Sequence, residues 1–190
     1  MVFTIFISMI ILQRLTELRI AKKNEEKQKQ NGAIECGMGH YPWMVMIHTA
    51  FILATIAEVV ILNKQVSNLW PGLLLLFLFT QIIRGWAIIS LGPYWNTKII
   101  VVPNAKITKK GPYRFIKHPN YLVVTLEIII IPLMFNAWIT AAIFSFLNIC
   151  ILSVRIPAEE RALEKWTSYQ SVFQGNRRFL PHLLNKYDNS

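Results

Sequence analysis

Two stretches of this chain, residues 42–62 and 70–91, are mostly apolar for about twenty residues each. That is the length a helix needs to cross ~30 Å of hydrocarbon at ~1.5 Å per residue. Residues 2–19 form a third run, apolar as far as Gln13 and Arg14. No basic segment precedes it and no small-x-small cleavage pattern follows, so it reads as a span and not as a secretory leader. Residues 121–135 and 138–154 are two shorter runs, split by Pro132 and Asn136, and predict a tight helical hairpin. The expected fold is therefore an all-α integral membrane protein of about five transmembrane helices, in one domain covering residues 1–190.

Composition supports this. Charged residues make up 16% of the chain and apolar residues 54%, whereas a soluble domain carries about 25% charged residues. A disordered chain would be less apolar and more charged. Two cysteines, Cys36 and Cys150, are too few for a disulfide scaffold. Cys36 with His40 lacks the second ligand pair that a zinc site requires, so no metal is expected.

The net charge of +10 is mostly topology. Six cations follow the first run (Arg14, Arg19, Lys22, Lys23, Lys27, Lys29), and six lie in the long interruption 92–119 (Lys98, Lys106, Lys109, Lys110, Arg114, Lys117). Six more lie in the tail (Arg155, Arg161, Lys165, Arg177, Arg178, Lys186), leaving Lys64 opposite and Arg84 inside a span. With five spans, those three basic segments share one side. The positive-inside rule makes that side cytoplasmic and puts the N-terminus outside. Anionic lipid accounts for the basic excess better than nucleic acid does. Residues 22–31 read as a surface helix continuing the first span, and residues 157–173 as a tail helix opening at Pro157 with Glu159 and Glu160 in its first turn.

The hairpin brings residues 113–121 near residues 155–160 on the cytoplasmic side. A pocket there would be wet above and open to lipid at its flank. No dinucleotide fingerprint after a strand, P-loop or nucleophile elbow is present. What remains unexplained is the segment GPYRFIKHPNYLVVTLE (111–127) and the segment RIPAEERAL (155–163). The first resembles the G-x-Y-x-x-x-R-H-P-x-Y signature of the isoprenylcysteine carboxyl methyltransferase family, and the second resembles that family's arginine followed by paired glutamates. The flanks 91–115 and 176–181 are similar to the same family. The segment GAIECGMGHYPWMVMIH (32–48) resembles a small bacterial branch that O-methylates products of type III polyketide synthases, the alkylpyrones and alkylresorcinols.

That resemblance implies an S-adenosylmethionine-dependent membrane O-methyltransferase without a Rossmann domain, with its cofactor and catalytic region at about 92–181. It implies a long-chain lipophilic acceptor in the bacterial cell membrane, and functional association with a type III polyketide synthase. By motif, Tyr113, Lys117, His118, Pro119, Tyr121 and Glu159 would bind the cofactor, and Arg155 and Glu160 would act at the reacting centre. Lys117 stands where the family has an arginine, which removes a bidentate fork. Trp166 and residues 169–173 also depart from the eukaryotic pattern, where adenine recognition is expected. Prenylcysteine carboxyl methylation and a sterol-type NADPH reductase are the competing enzyme readings.

The residues allow this chemistry unaided. Lys117 and His118 can meet a carboxylate, and a glutamate can accept from an ammonium or ribose hydroxyl. Arg155 can hold an anionic acceptor oxygen, with Glu160 orienting Arg155 or acting as base; orientation is favoured, because an adjacent guanidinium lowers a carboxylate's proton affinity. A phenol acceptor, with a pKa of about 10, would need deprotonating. His40, Tyr41 and Glu127 would line the substrate's way in, and Arg84 is expected to pair with a carboxylate. Structural alternatives stand beside these readings. His118-Pro119 suits a helix start, Glu159-Glu160 a solvated face, Arg155 interfacial snorkelling and Tyr41 an aromatic anchor.

Overall fold

A computed structural model of the protein describes residues 1–173, 178 and 179. Its bundle consists of α1 (Val2–Gln30), α2 (Tyr41–Ile61), α3 (Trp70–Leu91), α4 (Pro119–Leu133) and α5 (Trp138–Trp166), followed by a single turn, α6 (Tyr169–Val172). Among the described residues, three helices are long and apolar enough to cross a membrane: α2, α3 together with the 3-10 turn that extends it to Tyr94, and α5. α4 is apolar but has only 15 residues. On α3, Leu75, Ile82 and Ile89 are 70%, 68% and 79% exposed. Their seven-residue spacing makes one apolar stripe on the outer face, which belongs against lipid and not against water. This is a mostly helical membrane protein.

α1 is one continuous helix through its lysine-rich end, as the sequence predicts. It joins the bundle through side chains at three levels. Near its start, the rings of Phe3 and Phe6 lie 4.9–5.6 Å from those of Phe77 and Phe135. Midway, Arg14 and Glu17 join a buried ionic cluster with Arg84 of α3 and Glu127 of α4. At its polar end, Asn24 donates to the carbonyls of Gly92 and Trp95, and Gln28 to that of Pro93.

Two features differ from the sequence expectation. A small antiparallel ribbon forms from β1 (Ile34–Cys36) and β2 (Ile99–Val101), with Ile34 opposite Val101 and Cys36 opposite Ile99. Pro157 does not open a new helix; it lies inside α5, which runs 29 residues without a break. An interior proline costs about 3 kcal/mol. Just beyond it, Ala158 and Ala162 pack against Ile99 and Val101 of the ribbon. The α4–α5 hairpin turns at Asn136, whose φ of 55° is tolerated by asparagine. On the far side of the bundle from the long loop, Glu58 accepts hydrogen bonds from Ile139 N (3.3 Å), Thr140 N (2.7 Å) and Thr140 Oγ1 (2.7 Å). That carboxylate caps the start of α5 and sets α2 antiparallel to it.

Candidate active site

The turn before α4 is shaped by Gly111, whose φ is +55°. A β-carbon there would lie 2.0 Å from Ser90 Oγ and 2.8 Å from Trp86 Nε1, so only glycine fits against α3. The 3-10 turn Gly111–Arg114 then buries Tyr113, whose hydroxyl accepts from Asn120 Nδ2 (3.0 Å). His118 occupies the N-cap position of α4 without a side-chain capping bond, and Pro119 holds the first helical position, where the missing amide costs nothing. Pro119 is buried and does not line the cavity; it aims the residues on either side.

His118 Nε2 lies 3.1 Å from Glu160 Oε1. Glu160 also accepts from Arg178 Nε (3.1 Å) and Nη2 (2.5 Å), while the His118 amide donates to the Arg178 carbonyl (3.3 Å). The apolar part of α5 ends at Val154, so this knot lies beyond it. Burial alone would push the Glu160 carboxyl up, but the hydrogen bonds from His118 and Arg178 prevail and hold it down at about 2. Glu160 is therefore a fixed anion that ties together the α4 start, α5 and the tail.

Arg155 is 4% exposed and occupies a different setting. Its Nε donates to Tyr121 Oη (2.8 Å) and its Nη2 to the Thr97 carbonyl (2.5 Å), while Nη1 is buried without a partner among the described residues. The Tyr121 hydroxyl in turn donates to Glu159. Glu159, not Glu160, is thus the carboxylate linked to Arg155. Helical phase is the reason: position 159 is i+4 from 155 and shares its face, whereas 160 is turned by about 140°. The expectation that Glu160 orients Arg155 is corrected accordingly.

These groups line one cavity of about 560 Å³, the size range of small-molecule sites. At the end nearest the loop its wall includes Tyr113, Lys117, His118, Tyr121, Arg155 and Glu159. Further in, Glu127 lines it together with Arg14, Glu17 and Arg84. Tyr41 also faces it, its hydroxyl 3.3 Å from Thr97 Oγ1. Glu160 and His40 are outside the lining; His40 packs beside Gly37, where a β-carbon would lie 2.3 Å from its ring. Arg84 makes the expected pairing twice over, with Glu127 and Glu17. Of the flank 176–181, only Arg178 and Phe179 lie within the described residues, and Arg177 and Lys186 lie outside them.

Four lining residues carry no individual role in the motif reading: Trp95 and His48, which lie within resembling segments, Tyr169, which lies in the departing one, and Asn148. Trp95 Nε1, Tyr169 Oη and Asn148 Oδ1 are buried with no hydrogen-bond partner among the described residues. Burial, then the carboxylates of Glu160 and Glu159, push the Tyr169 hydroxyl far up, so it stays protonated. The Lys117 ammonium sits 5.8 Å above the Tyr169 ring. In the sequence, the signal for Asn148 and His48 is a polar side chain inside an apolar run.

Comparison with known proteins adds to this geometry. The family model for the isoprenylcysteine carboxyl methyltransferase (ICMT) family matches residues 73–165, which contain both signature segments. A Bacillus subtilis protein, uncharacterized protein YpbQ, is 50% identical over 165 residues, covering 87% of this chain and 98% of that protein. The chain belongs to the isoprenylcysteine carboxyl methyltransferase family. An uncharacterized protein of Haemophilus influenzae is 28% identical over 155 residues, covering 81% of this chain and 90% of its own length. No solved structure matches.

The family is one of membrane methyltransferases that use S-adenosylmethionine. The buried residues here suit that cofactor. Among the described residues, Trp95 Nε1 is an unpaired donor and Tyr169 Oη an unpaired hydroxyl, and Lys117 adds a cation for a carboxylate. Glu159 offers an acceptor for an ammonium or a ribose hydroxyl. Unpaired buried groups are costly, about 1–3 kcal/mol each, and a polar ligand relieves that cost.

Proposed function

We propose that this ICMT-family protein is an S-adenosylmethionine-dependent O-methyltransferase of the bacterial cell membrane. Its acceptor is a long-chain lipophilic molecule, an alkylpyrone or related product of a type III polyketide synthase, with which it is functionally associated. The proposed topology has five spans, an outer N-terminus, and the long loop and tail in the cytoplasm. One observation carries the reading: a single cavity joins the polar groups around His118 and Tyr169 to an apolar interior walled by α1 and α2 residues such as Ile10, Phe51 and Ile52. A water-soluble cofactor and an oily acceptor can meet in it.

S-adenosylmethionine supplies an electrophilic methyl group on a sulfonium. Lys117, Trp95 and Tyr169 would hold it on the loop side, with Glu159 accepting its donors. Arg155 holds the acceptor oxygen: Tyr121 and Thr97 fix the guanidinium and leave Nη1 to donate. Fixing that oxygen against the reacting carbon is the larger part of the task, and alignment of this kind is worth several kcal/mol. His118 and Glu160 position the start of α4 and make no bond to the acceptor oxygen's holder.

Calorimetric titration of the detergent-purified protein with S-adenosylhomocysteine and with NADPH tests the cofactor assignment. Binding of the former alone is the expected result, and binding of NADPH alone overturns it. Methyl transfer to a 6-alkyl-4-hydroxy-2-pyrone tests the acceptor. Turnover of a farnesylcysteine carboxylate in preference to it would favour the second reading, carboxyl methylation, which the family's name supports.

A further inference from the structure

Between α2 and α5 the cavity wall carries two polar atoms that methyl transfer as proposed does not use. The Glu58–Thr140 hydrogen bonds and the Phe51–Phe144 ring contact (5.6 Å) set the antiparallel register of α2 on α5. That register brings His48 to the level of Asn148. Both line the cavity, and Asn148 lies two helical turns, about 10 Å, deeper along α5 than Arg155.

Their hydrogen bonds fix what each presents. Thr125 Oγ1 donates to the Tyr121 carbonyl (2.8 Å), so it accepts from Asn148 Nδ2 (3.0 Å). This orients the Asn148 amide and leaves Oδ1, on a residue that is 0% exposed, unpartnered among the described residues. His48 Nδ1 lies 2.7 Å from the Met44 carbonyl, which can only accept. The proton is therefore on Nδ1, and Nε2 of the neutral ring is a lone pair with no hydrogen bond among the described residues. Phe51, Ile52, Ile151 and Leu152 surround the two positions with apolar surface.

Two acceptors in an oily wall call for a ligand that donates. We infer that His48 and Asn148 form a subsite for the acceptor's head group, taking a hydrogen bond from a ring hydroxyl while the alkyl chain lies along the apolar wall. This rests on the reading that the methyl acceptor occupies this cavity. The ligand class is a hydroxylated ring on an alkyl chain. An ionised carboxylate, which only accepts, gains no hydrogen bond from either atom. His48 lies outside the residues matched by the family model, and Asn148 lies within them.

The test is equilibrium binding to the detergent-purified full-length protein of a 5-alkylresorcinol and of its dimethyl ether, at equal chain length. The expected result is about tenfold tighter binding of the resorcinol, the size of effect a neutral hydrogen bond gives. His48→Phe and Asn148→Leu should each reduce the preference to about twofold or less, with S-adenosylhomocysteine affinity unchanged. His48→Gln, which keeps an acceptor atom, should retain it. Equal binding of the two ligands by the unmutated protein, or binding of neither, overturns the inference. So does an unchanged preference in both variants. A variant that fails to fold leaves the unmutated protein's ranking to decide. Failure of the methyltransferase reading shows separately, as loss of S-adenosylhomocysteine binding by a protein that still ranks the two ligands.

Discussion

Arg155 is held on two sides and free on a third, which makes its replacement informative. Arg155→Lys retains charge but cannot reach Tyr121, Thr97 and a ligand oxygen at once. Its turnover should fall by about 10²-fold, the scale for losing one preorganised donor. Affinity for S-adenosylhomocysteine should change far less, measured by calorimetry on the same preparation. Tyr121→Phe removes the link between Arg155 and Glu159 and should lower turnover in the same direction. At Gly111 the effect is on folding: Gly111→Ala forces a β-carbon into Ser90 and strains a positive φ. A loss of about 1–3 kcal/mol is expected, visible as a lower thermal midpoint in detergent. The sequence named Arg155 but paired it with the wrong glutamate. Helical phase would have chosen Glu159, had Pro157 not suggested a break in the helix.

At the scale of elements, the polar end of α1 carries the loop that grips Arg155. Lys98 lies 2.8 Å from Glu25 and 3.2 Å from Glu35, and Lys29 reaches the same two carboxylates (2.5 and 3.1 Å). Hydrogen bonds from Lys29 and Lys98 hold the Glu25 carboxyl below its ordinary value of 4.5. At Glu35, burial opposes this, and the same two lysines still prevail. A depressed folded value means that the contribution is present above about pH 4.5 and is lost as pH falls through that lower value. These groups are well solvated, so the effect is local. Hydrogen exchange at residues 96–101 should quicken below pH 4.5, and Glu25→Gln should bring that faster exchange to neutral pH. The helices were legible in the sequence because apolar runs of bilayer length leave few alternatives. The β1–β2 ribbon was not, since three-residue strands sixty-odd positions apart pair only once α1 has delivered one to the other.

For the molecule as a whole, the ionic cluster of Arg14, Glu17, Arg84 and Glu127 is where three helices depend on one another. Its two guanidiniums and two carboxylates balance, with Gln13 and Gln81 filling remaining positions. Arg84→Met leaves two carboxylates facing one arginine and should cost about 3–5 kcal/mol. The double change Arg84→Met with Glu127→Leu restores balance and should recover most of it, read by thermal denaturation in detergent. The sequence showed that Arg84 needed a carboxylate; which one depended on the packing of α1 against α3 and α4, which no local pattern encodes.

The cavity that runs from the loop side into the apolar interior also changes what concentration means for this enzyme. An acceptor that approaches through the bilayer is counted per unit of membrane area, not per litre. Turnover should fall when the same amount of acceptor is spread through more inert phospholipid, and should be indifferent to the volume of buffer around the vesicles.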